Sequence, residues 1–233
     1  MWSPGDTPPS AKVKGVKSLM ESGLEPLRIL EKVSVEVAPG RRLTYGVVHV
    51  LKALELIGSR VGVGRQQLAR ELNIGESSAR TLIKRLREEG LIVVERGGMR
   101  LTERGRKLLA YFMDSMRSMR VPPTPSTVSE RNHAVLVRGA AHLIRFGVEQ
   151  RDAALLAGAR GATTLIYDGE RFHIPGLERG PEPELSRLLL EGLRPEAGDV
   201  IIIGSAEEDW AAEMGAKAAA LELLRRMTPP QAP

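Results

Sequence analysis

Apolar residues recur at the spacing of a single helical face in two neighbouring segments of the first half of the chain. From Arg65 to Leu72 these positions are Leu68, Ala69 and Leu72, and from Glu76 to Glu89 they are Ala79, Leu82, Ile83 and Leu86. Between the segments stands Asn73-Ile74-Gly75, and Asn and Gly both tolerate the left-handed backbone that ends a helix. The pattern therefore predicts two helices joined by a tight turn, with the second ended by Gly90.

A hairpin and a further helix are predicted next. Leu91–Glu95 and Met99–Leu101 are short apolar runs on either side of Arg96-Gly97-Gly98, which is a turn sequence. Thr102 can cap a helix that runs from Glu103 to about Arg117. The prediction for this part of the chain is helix, turn, helix, hairpin and helix.

Composition shifts along the chain predict its division into domains. Residues 1–40 form an N-terminal extension with a short periodic stretch that Pro26 interrupts, and the long apolar segment Leu43–Ile57 predicts a helix closed by Gly58. Val121–Ser126 holds three prolines in six residues, which favours an extended spacer. We therefore expect a first domain over residues 41–120, a Pro-rich linker over 121–128 and a second domain over 129–228.

The second half alternates short apolar runs with helical segments. The first predicted elements are a strand over 133–137, a helix over 148–157 and a strand over 162–167. A hairpin turn at Asp168-Gly169 then leads to a return strand over 171–174. A helix from Pro183, a strand over 199–204 and a helix to Met227 follow, and the last helix is begun by a capping box of Ser205 and Glu208. This β-α-β-β-α-β order is that of ferredoxin-like folds, with an extra terminal helix. The whole chain is predicted to be α+β.

The net charge of +5 is distributed unevenly. Up to Arg120 the chain has 22 Lys+Arg against 13 Asp+Glu, which gives +9, whereas the remainder has 12 against 16, which gives −4. A basic first half predicts a polyanionic partner. No apolar run approaches the ~20 residues of a membrane-spanning helix, and no secretory signal is recognisable at the N-terminus. With no cysteine in the chain, disulfides and thiolate metal sites are excluded, and we expect a cytoplasmic protein.

The second helix of the pair carries short hydrogen-bonding residues and cations on the face opposite its apolar stripe. These residues are Ser77, Ser78, Arg80, Thr81 and Lys84. The first two turns of a recognition helix enter the major groove of DNA, where such side chains reach base edges and phosphates. Arg96 and Arg100 are expected at the tip of the hairpin, within reach of the sugar-phosphate backbone. The hypothesis is a double-stranded DNA interface made of these seven residues.

The sequence here resembles the winged helix-turn-helix regulators of bacteria and archaea, of the MarR-like and DtxR-like kind. The resemblance rests on residues 67–74, Gln-Leu-Ala-Arg-Glu-Leu-Asn-Ile, and residues 78–92, Ser-Ala-Arg-Thr-Leu-Ile-Lys-Arg-Leu-Arg-Glu-Glu-Gly-Leu-Ile. Ala79 departs from the valine that is more frequent in the family. The resemblance implies sequence-directed DNA binding, and regulators of this type usually bind as two-fold dimers.

Residues that point to chemistry are few in the second half. Its histidines lack metal-ligand spacing and Ser205 lacks a nucleophile-elbow context, so no metal, cofactor or catalytic residue is predicted. A ligand site would use polar residues beside the predicted strands, namely Arg138, His142, Arg145 and His173. Domains of this order often sense small molecules behind a DNA-binding head, as in the leucine-responsive regulators, and the whole arrangement resembles an archaeal family that joins a winged helix to a C-terminal domain of unknown function.

The hypothesis for the whole chain is a transcriptional regulator, not an enzyme, that forms a homodimer. Its first domain would bind DNA, and its second would sense a small-molecule effector or mediate oligomerisation, moving the DNA-binding heads across the Pro-rich linker. Two alternatives stay open at this point. The second domain could be catalytic, or the winged helix could be a docking surface of a protein-interaction adaptor.

Overall fold

The computed structural model describes residues 26–34, 44–177 and 179–227. The chain divides into two compact units, the first ending at Met113 and the second beginning at Asp114. Among the described residues, no helix combines the length and the hydropathy that a membrane span requires.

The first unit contains the predicted helix-turn-helix and hairpin. Its elements are α1 (Pro26–Ser34), α2 (Val47–Ser59), α3 (Arg65–Glu71), α4 (Glu76–Glu88), β1 (Ile92–Glu95), β2 (Gly98–Leu101) and α5 (Glu103–Ser115). Asn73 has a φ of 52°, so the left-handed residue predicted in the turn between α3 and α4 is confirmed. The hairpin is antiparallel, with Val94 opposite Met99.

Apolar side chains from every helix form the core of this unit. Fully buried members include Leu30 on α1, Leu54 on α2, Leu68 on α3, Leu82 on α4 and Phe112 on α5. The sequence assigned no role to the stretch around Pro26, which in the structure begins a helix that buries its apolar face. This start suits proline, because its fixed φ fits the first turn and its missing N–H needs no partner there.

His49 on α2 makes the stability of this unit sensitive to pH. Burial lowers the pKa of His49, and its Nδ1 accepts a hydrogen bond from the Gly46 amide at 3.1 Å, which only a ring without a proton on Nδ1 can do. Because the unfolded chain then binds a proton more readily than the folded one, the unit loses stability as the pH falls below about 6.5. We expect a lower urea midpoint at pH 5.5 than at pH 7.5, and a smaller difference in His49→Gln than in the exposed-histidine control His142→Gln. Equal pH dependence in the two variants would contradict this assignment.

The second unit is a five-stranded antiparallel sheet with helices on both faces. Its elements are β3 (Met116–Val121), β4 (Arg131–Val137), a 3-10 turn (Ala141–Leu143), α6 (Val148–Leu156), β5 (Gly161–Tyr167), β6 (Phe172–His173), α7 (Pro183–Leu193), β7 (Val200–Ala206) and α8 (Asp209–Met227). The strand order is β3-β4-β7-β5-β6. The element order predicted from Asn132 onwards is confirmed, and β3 is a strand that the sequence did not predict.

The two faces of the sheet are covered differently. On one face, Ile201 and Ile203 of β7 join Leu185 and Leu189 of α7 in a buried cluster. On the other face α6 and α8 pack together against the strands, and Gly204 lies directly beneath α8. A Cβ added at Gly204 would stand 2.5 Å from the Ala212 carbonyl oxygen, so this close approach requires glycine.

The boundary between the units differs from the predicted Pro-rich linker. α5 ends at Ser115, and residues 116–121 pair with β4 as strand β3 instead of continuing the helix. The Pro-rich segment therefore connects β3 to β4 within the second unit. It is held there because Thr163 Oγ1 donates to the Ser126 carbonyl at 2.7 Å and the Ser126 hydroxyl donates to Glu182 at 2.5 Å. Prolines predict an irregular segment correctly, but they do not distinguish an interdomain spacer from a loop bound to a sheet.

The predicted capping box of Ser205 and Glu208 is also absent. Ser205 is the sixth residue of β7 and is fully buried. Its hydroxyl donates to Asn132 Oδ1 at 2.6 Å and accepts the Val128 amide at 3.2 Å. These bonds hold the loop before β4 to the end of the central strand, β7. The helix α8 begins only at Asp209.

Candidate nucleic-acid interface

The second helix of the helix-turn-helix, α4, separates its apolar and polar residues as predicted. Ala79, Leu82 and Leu86 are buried, while Ile83 is only half-buried. Of the five predicted contact residues, Ser77, Arg80 and Lys84 are exposed, and Ser78 and Thr81 are half-buried on the same side of the helix. One face of α4 therefore binds the core of the first unit, and the other is open to a ligand.

A groove of about 500 Å³ lies between α4 and the hairpin. Four arginines line it, together with glycines of the hairpin and of the segment before α3. The lining comprises Gly62, Val63, Gly64, Arg65, Arg80, Ile83, Arg87, Val94, Glu95, Arg96, Gly97, Gly98 and Met99. The Met99 amide donates to the Val63 carbonyl at 2.9 Å, which fixes the hairpin against the strand-like segment before α3. Gly62 and Gly98 are needed there because their backbones approach closely: a Cβ on Gly98 would stand 2.5 Å from the Gly62 carbonyl oxygen.

Three of these arginines keep their guanidinium groups available. Within the described parts of the chain, the side chains of Arg80, Arg87 and Arg96 form no hydrogen bond or ion pair. By contrast, Arg65 stands 3.9 Å from Glu76. A groove with three unneutralised cations attracts an anion, and its two walls are a helix and a hairpin.

The other predicted contact residues have intramolecular partners. Lys84 Nζ is 3.7 Å from Glu88, with both side chains exposed to solvent. Arg100 pairs with Glu95 and lies on β2 opposite Val93, so it is in the middle of a strand and not at the hairpin tip where we expected it. Exposed pairs of this kind are weak, so a phosphate can replace the carboxylate at little cost.

The hydroxyls of Ser78 and Thr81 on α4 differ in the hydrogen bonds that they can form with a ligand. Thr44 donates its hydroxyl to Ser78 Oγ at 2.6 Å, which leaves the Ser78 proton available to an acceptor on a ligand. Thr81 donates to the Ser77 carbonyl at 3.1 Å, so its oxygen can only accept from a ligand.

Sequence reasoning missed two of the arginines in the groove, Arg65 and Arg87. Arg87 follows Arg80 by seven residues, which is two helical turns, so the same periodicity that selected Arg80 and Lys84 could have found it. Arg65 begins α3 and enters the groove only because the turn folds α3 against α4, and no local pattern shows this.

The predicted ligand residues of the second unit do not come together. Arg138 donates to the Asp114 carbonyl at 3.1 Å and lies 3.4 Å from Glu196, while His142 Nδ1 contacts the Gly139 carbonyl at 3.1 Å. His173 is on β6, and two strands separate β6 from β4. At about 4.8 Å per strand, this puts β6 about 14 Å from β4. Arg145 is exposed and joins neither group.

His173 instead donates a hydrogen bond from Nε2 to the Asp168 carboxylate in the hairpin turn between β5 and β6. The hydrogen bond from His173, followed by those from the Arg171 and Glu170 amides, holds the pKa of Asp168 well below its usual range. This arrangement stabilises the turn. No cluster of three or more metal-ligating side chains occurs in residues 26–34, 44–177 and 179–227.

Comparisons with known proteins agree with the two-unit structure. Residues 44–116 match the family described as CggR N-terminal DNA binding domain, and residues 128–223 match the family described as Domain of unknown function (DUF4443). None of the curated proteins matches the chain at a significant level.

Solved structures provide two further comparisons. Hypothetical protein PH0730 from Pyrococcus horikoshii OT3 is 25% identical, with 80% of this chain and 96% of that one covered at a TM-score of 0.63. A multiple antibiotic-resistance repressor (MarR) from Listeria monocytogenes is 18% identical over 47% of this chain and 75% of its own, at a TM-score of 0.28 that does not establish a common fold.

The helix-turn-helix geometry and the family match of residues 44–116 agree, and the sheet unit coincides with the match of residues 128–223. Residues 44–116 therefore form a winged helix-turn-helix that matches a DNA-binding domain, and residues 128–223 match a domain of unknown function.

Proposed function

We propose that the chain is a transcriptional regulator that reads a specific duplex DNA sequence through the first unit. The observation that carries the proposal is the groove between α4 and the hairpin, with its three unpartnered arginines. In this arrangement α4 enters the major groove. Ser77, Arg80 and Lys84 face base edges, with Ser78 and Thr81 beside them.

The hairpin and the end of α4 supply the contacts that fix position on the duplex. Arg87, Arg96 and, after release from Glu95, Arg100 bind phosphates on either side of the groove being read. Phosphate contacts supply affinity and orientation without sequence information, whereas base contacts supply specificity. A DNA ligand also implies a cytoplasmic location for the chain.

The second unit has a regulatory role in this proposal, either binding a small-molecule effector or joining two copies into a dimer. A two-fold dimer is favoured because regulators with this kind of head read two half-sites one helical turn apart. The Pro-rich segment cannot serve as the hinge expected from the sequence, since it is hydrogen-bonded within the second unit. An effector would act by shifting the population of DNA-competent conformations.

The proposal is tested by measuring binding of the full chain to a duplex from its own promoter region and to random duplex DNA across a salt series. Three phosphate contacts, from Arg87, Arg96 and Arg100, predict a slope of log K against log salt concentration of about −2.7 or steeper, because each neutralised phosphate contributes about −0.9. The promoter duplex should bind at least ~10³-fold more tightly than random DNA. Weak binding that is indifferent to salt and sequence would contradict the proposal and favour a docking role for the winged helix.

A further inference from the structure

The helix α6 in the second unit has its apolar residues facing outward. Val148 and Leu155 are each 43% exposed and Leu156 is 91% exposed, whereas the residues it buries are Gln150 and Ala154. The Gln150 amide is fully buried and has no hydrogen-bond partner among the described residues. A helix on the surface of an isolated unit normally has the opposite arrangement, with apolar residues inside and polar residues outside. This reversal indicates that the outer face of α6 has a partner.

The outer face has a defined chemical pattern. Val148, Arg151, Asp152 and Leu155 follow the i, i+3, i+4, i+7 spacing of one helical stripe. At 100° per residue, Val148 and Leu155 form the centre of the stripe, Arg151 lies on one flank, and Asp152 and Glu149 lie on the other. We call these five residues the α6 surface. Phe146, 70% exposed, lies next to its N-terminal end and packs over Gly176.

We propose that the α6 surface binds the α6 surface of a second copy of this chain, with the two helices parallel around a two-fold axis that runs along them. In that arrangement Val148 packs on Val148 and Leu155 packs on Leu155 of the other copy. Opposite flanks face each other across the axis, so Arg151 of each copy meets Asp152 and Glu149 of the other. The stripe is thus complementary to itself in both apolar contact and charge.

An antiparallel pair does not have this complementarity. A two-fold axis perpendicular to the helices brings identical flanks together, so that Arg151 would face Arg151 and Asp152 would face Asp152. The placement of the cation and the anions on opposite flanks therefore selects the parallel pair. Within one copy Arg151 and Asp152 form an exposed ion pair at 3.1 Å, which is a weak contact that can be exchanged for one between copies.

The size of the surface sets the expected strength of the dimer. Nine residues of helix span about 13 Å, so two copies bury less area than a standard-size interface, as weak and transient contacts do. We therefore expect reversible self-association in the micromolar range. This inference deepens the assembly role proposed for the second unit, but its test contains no DNA, so its failure would leave the proposed DNA binding untouched.

The first test is sedimentation velocity of the full chain over a concentration series. We expect a monomer–dimer equilibrium, and Leu155→Glu should weaken the dimer at least tenfold. The two introduced carboxylates would face each other at the centre of the helix pair and repel. The control is Leu190→Glu, which changes a leucine that is 36% exposed on α7, on the opposite face of the sheet. A chain that stays monomeric at all concentrations, or a dimer equally indifferent to both changes, would overturn the proposal.

Charge reversal tests the orientation. Arg151→Asp and Asp152→Arg should each weaken the dimer, and the double variant should restore it, since the introduced carboxylate would again face the introduced guanidinium of the other copy. Because the chain has no cysteine, a single Leu155→Cys variant adds a second readout: the parallel pair brings the two thiols together and forms a disulfide-linked dimer on oxidation. Absence of both the charge rescue and the cross-link would overturn the parallel arrangement.

Discussion

Replacement of Arg80 by alanine is expected to weaken binding of the full chain to its promoter duplex by about 5- to 150-fold, the factor that corresponds to the 1–3 kcal/mol of a good base contact. The physical reason is the position of Arg80. It lies on the exposed face of α4, lines the groove shared with the hairpin, and has no described partner that would compete with DNA. Binding to random DNA should fall much less, so the specificity ratio should decrease along with the affinity.

Arg87→Ala distinguishes a contact to phosphate from a contact to a base in the same DNA-binding measurement. If Arg87 binds a phosphate, its loss should weaken binding to promoter and random DNA by similar factors and reduce the salt slope by about 1. Arg160→Ala is the control, because it removes an exposed arginine from the second unit. An Arg80→Ala variant with the affinity and specificity of the Arg160→Ala control would show that α4 is not the recognition helix.

Replacement of Gly204 by alanine is expected to destabilise the second unit by about 3 kcal/mol, near the upper end of the usual cost of overpacking. The added Cβ would stand 2.5 Å from the Ala212 carbonyl oxygen and 2.7 Å from the Ala216 nitrogen. Both are backbone atoms of α8, so the helix itself must move away from the sheet. Urea unfolding of the full chain, followed by circular dichroism, should show a transition at a lower urea concentration than in the wild type.

Gly198→Ala is the matched control for this prediction, since it adds the same methyl group just before the same strand. No atom lies within 4 Å of a Cβ at Gly198, but its φ is +91°, so the expected cost is the conformational strain of about 1–2 kcal/mol. A Gly204→Ala variant no less stable than Gly198→Ala would mean that α8 can shift freely over the sheet. The packing of α8 on β7 would then be looser than the structure indicates.

The first unit could be predicted from the sequence almost element by element. Its helices are amphipathic, so Leu68 and Leu82 fall at the period of one face, and Asn73 and Gly97 stand where a turn needs them. These signals are local, and local signals survive in the folded unit because each helix buries the face that its own sequence supplies. The exposed residues of α4 were predictable for the same reason, as the complement of its buried face.

The second unit shows what a linear pattern leaves open. Met116 continues the apolar spacing of α5, yet it begins β3. A longer helix would satisfy the backbone hydrogen bonds of residues 116–121 equally well, but only a strand also pairs with β4 and covers that edge of the sheet. Ser205 has the local context of a helix cap but lies inside β7, where a buried partner, Asn132, is 73 residues away in the sequence.

What the sequence determined by itself was the order and type of most elements, the basic character of the first half and the face of α4 that is available to DNA, because these depend on residue identity and short-range periodicity. The tertiary structure alone decided which arginines keep free guanidinium groups, where the Pro-rich segment binds and which way α6 faces. Each of these depends on a contact between segments distant in sequence. Such contacts are selected by the free energy of the whole packed unit and not by the propensity of any one segment.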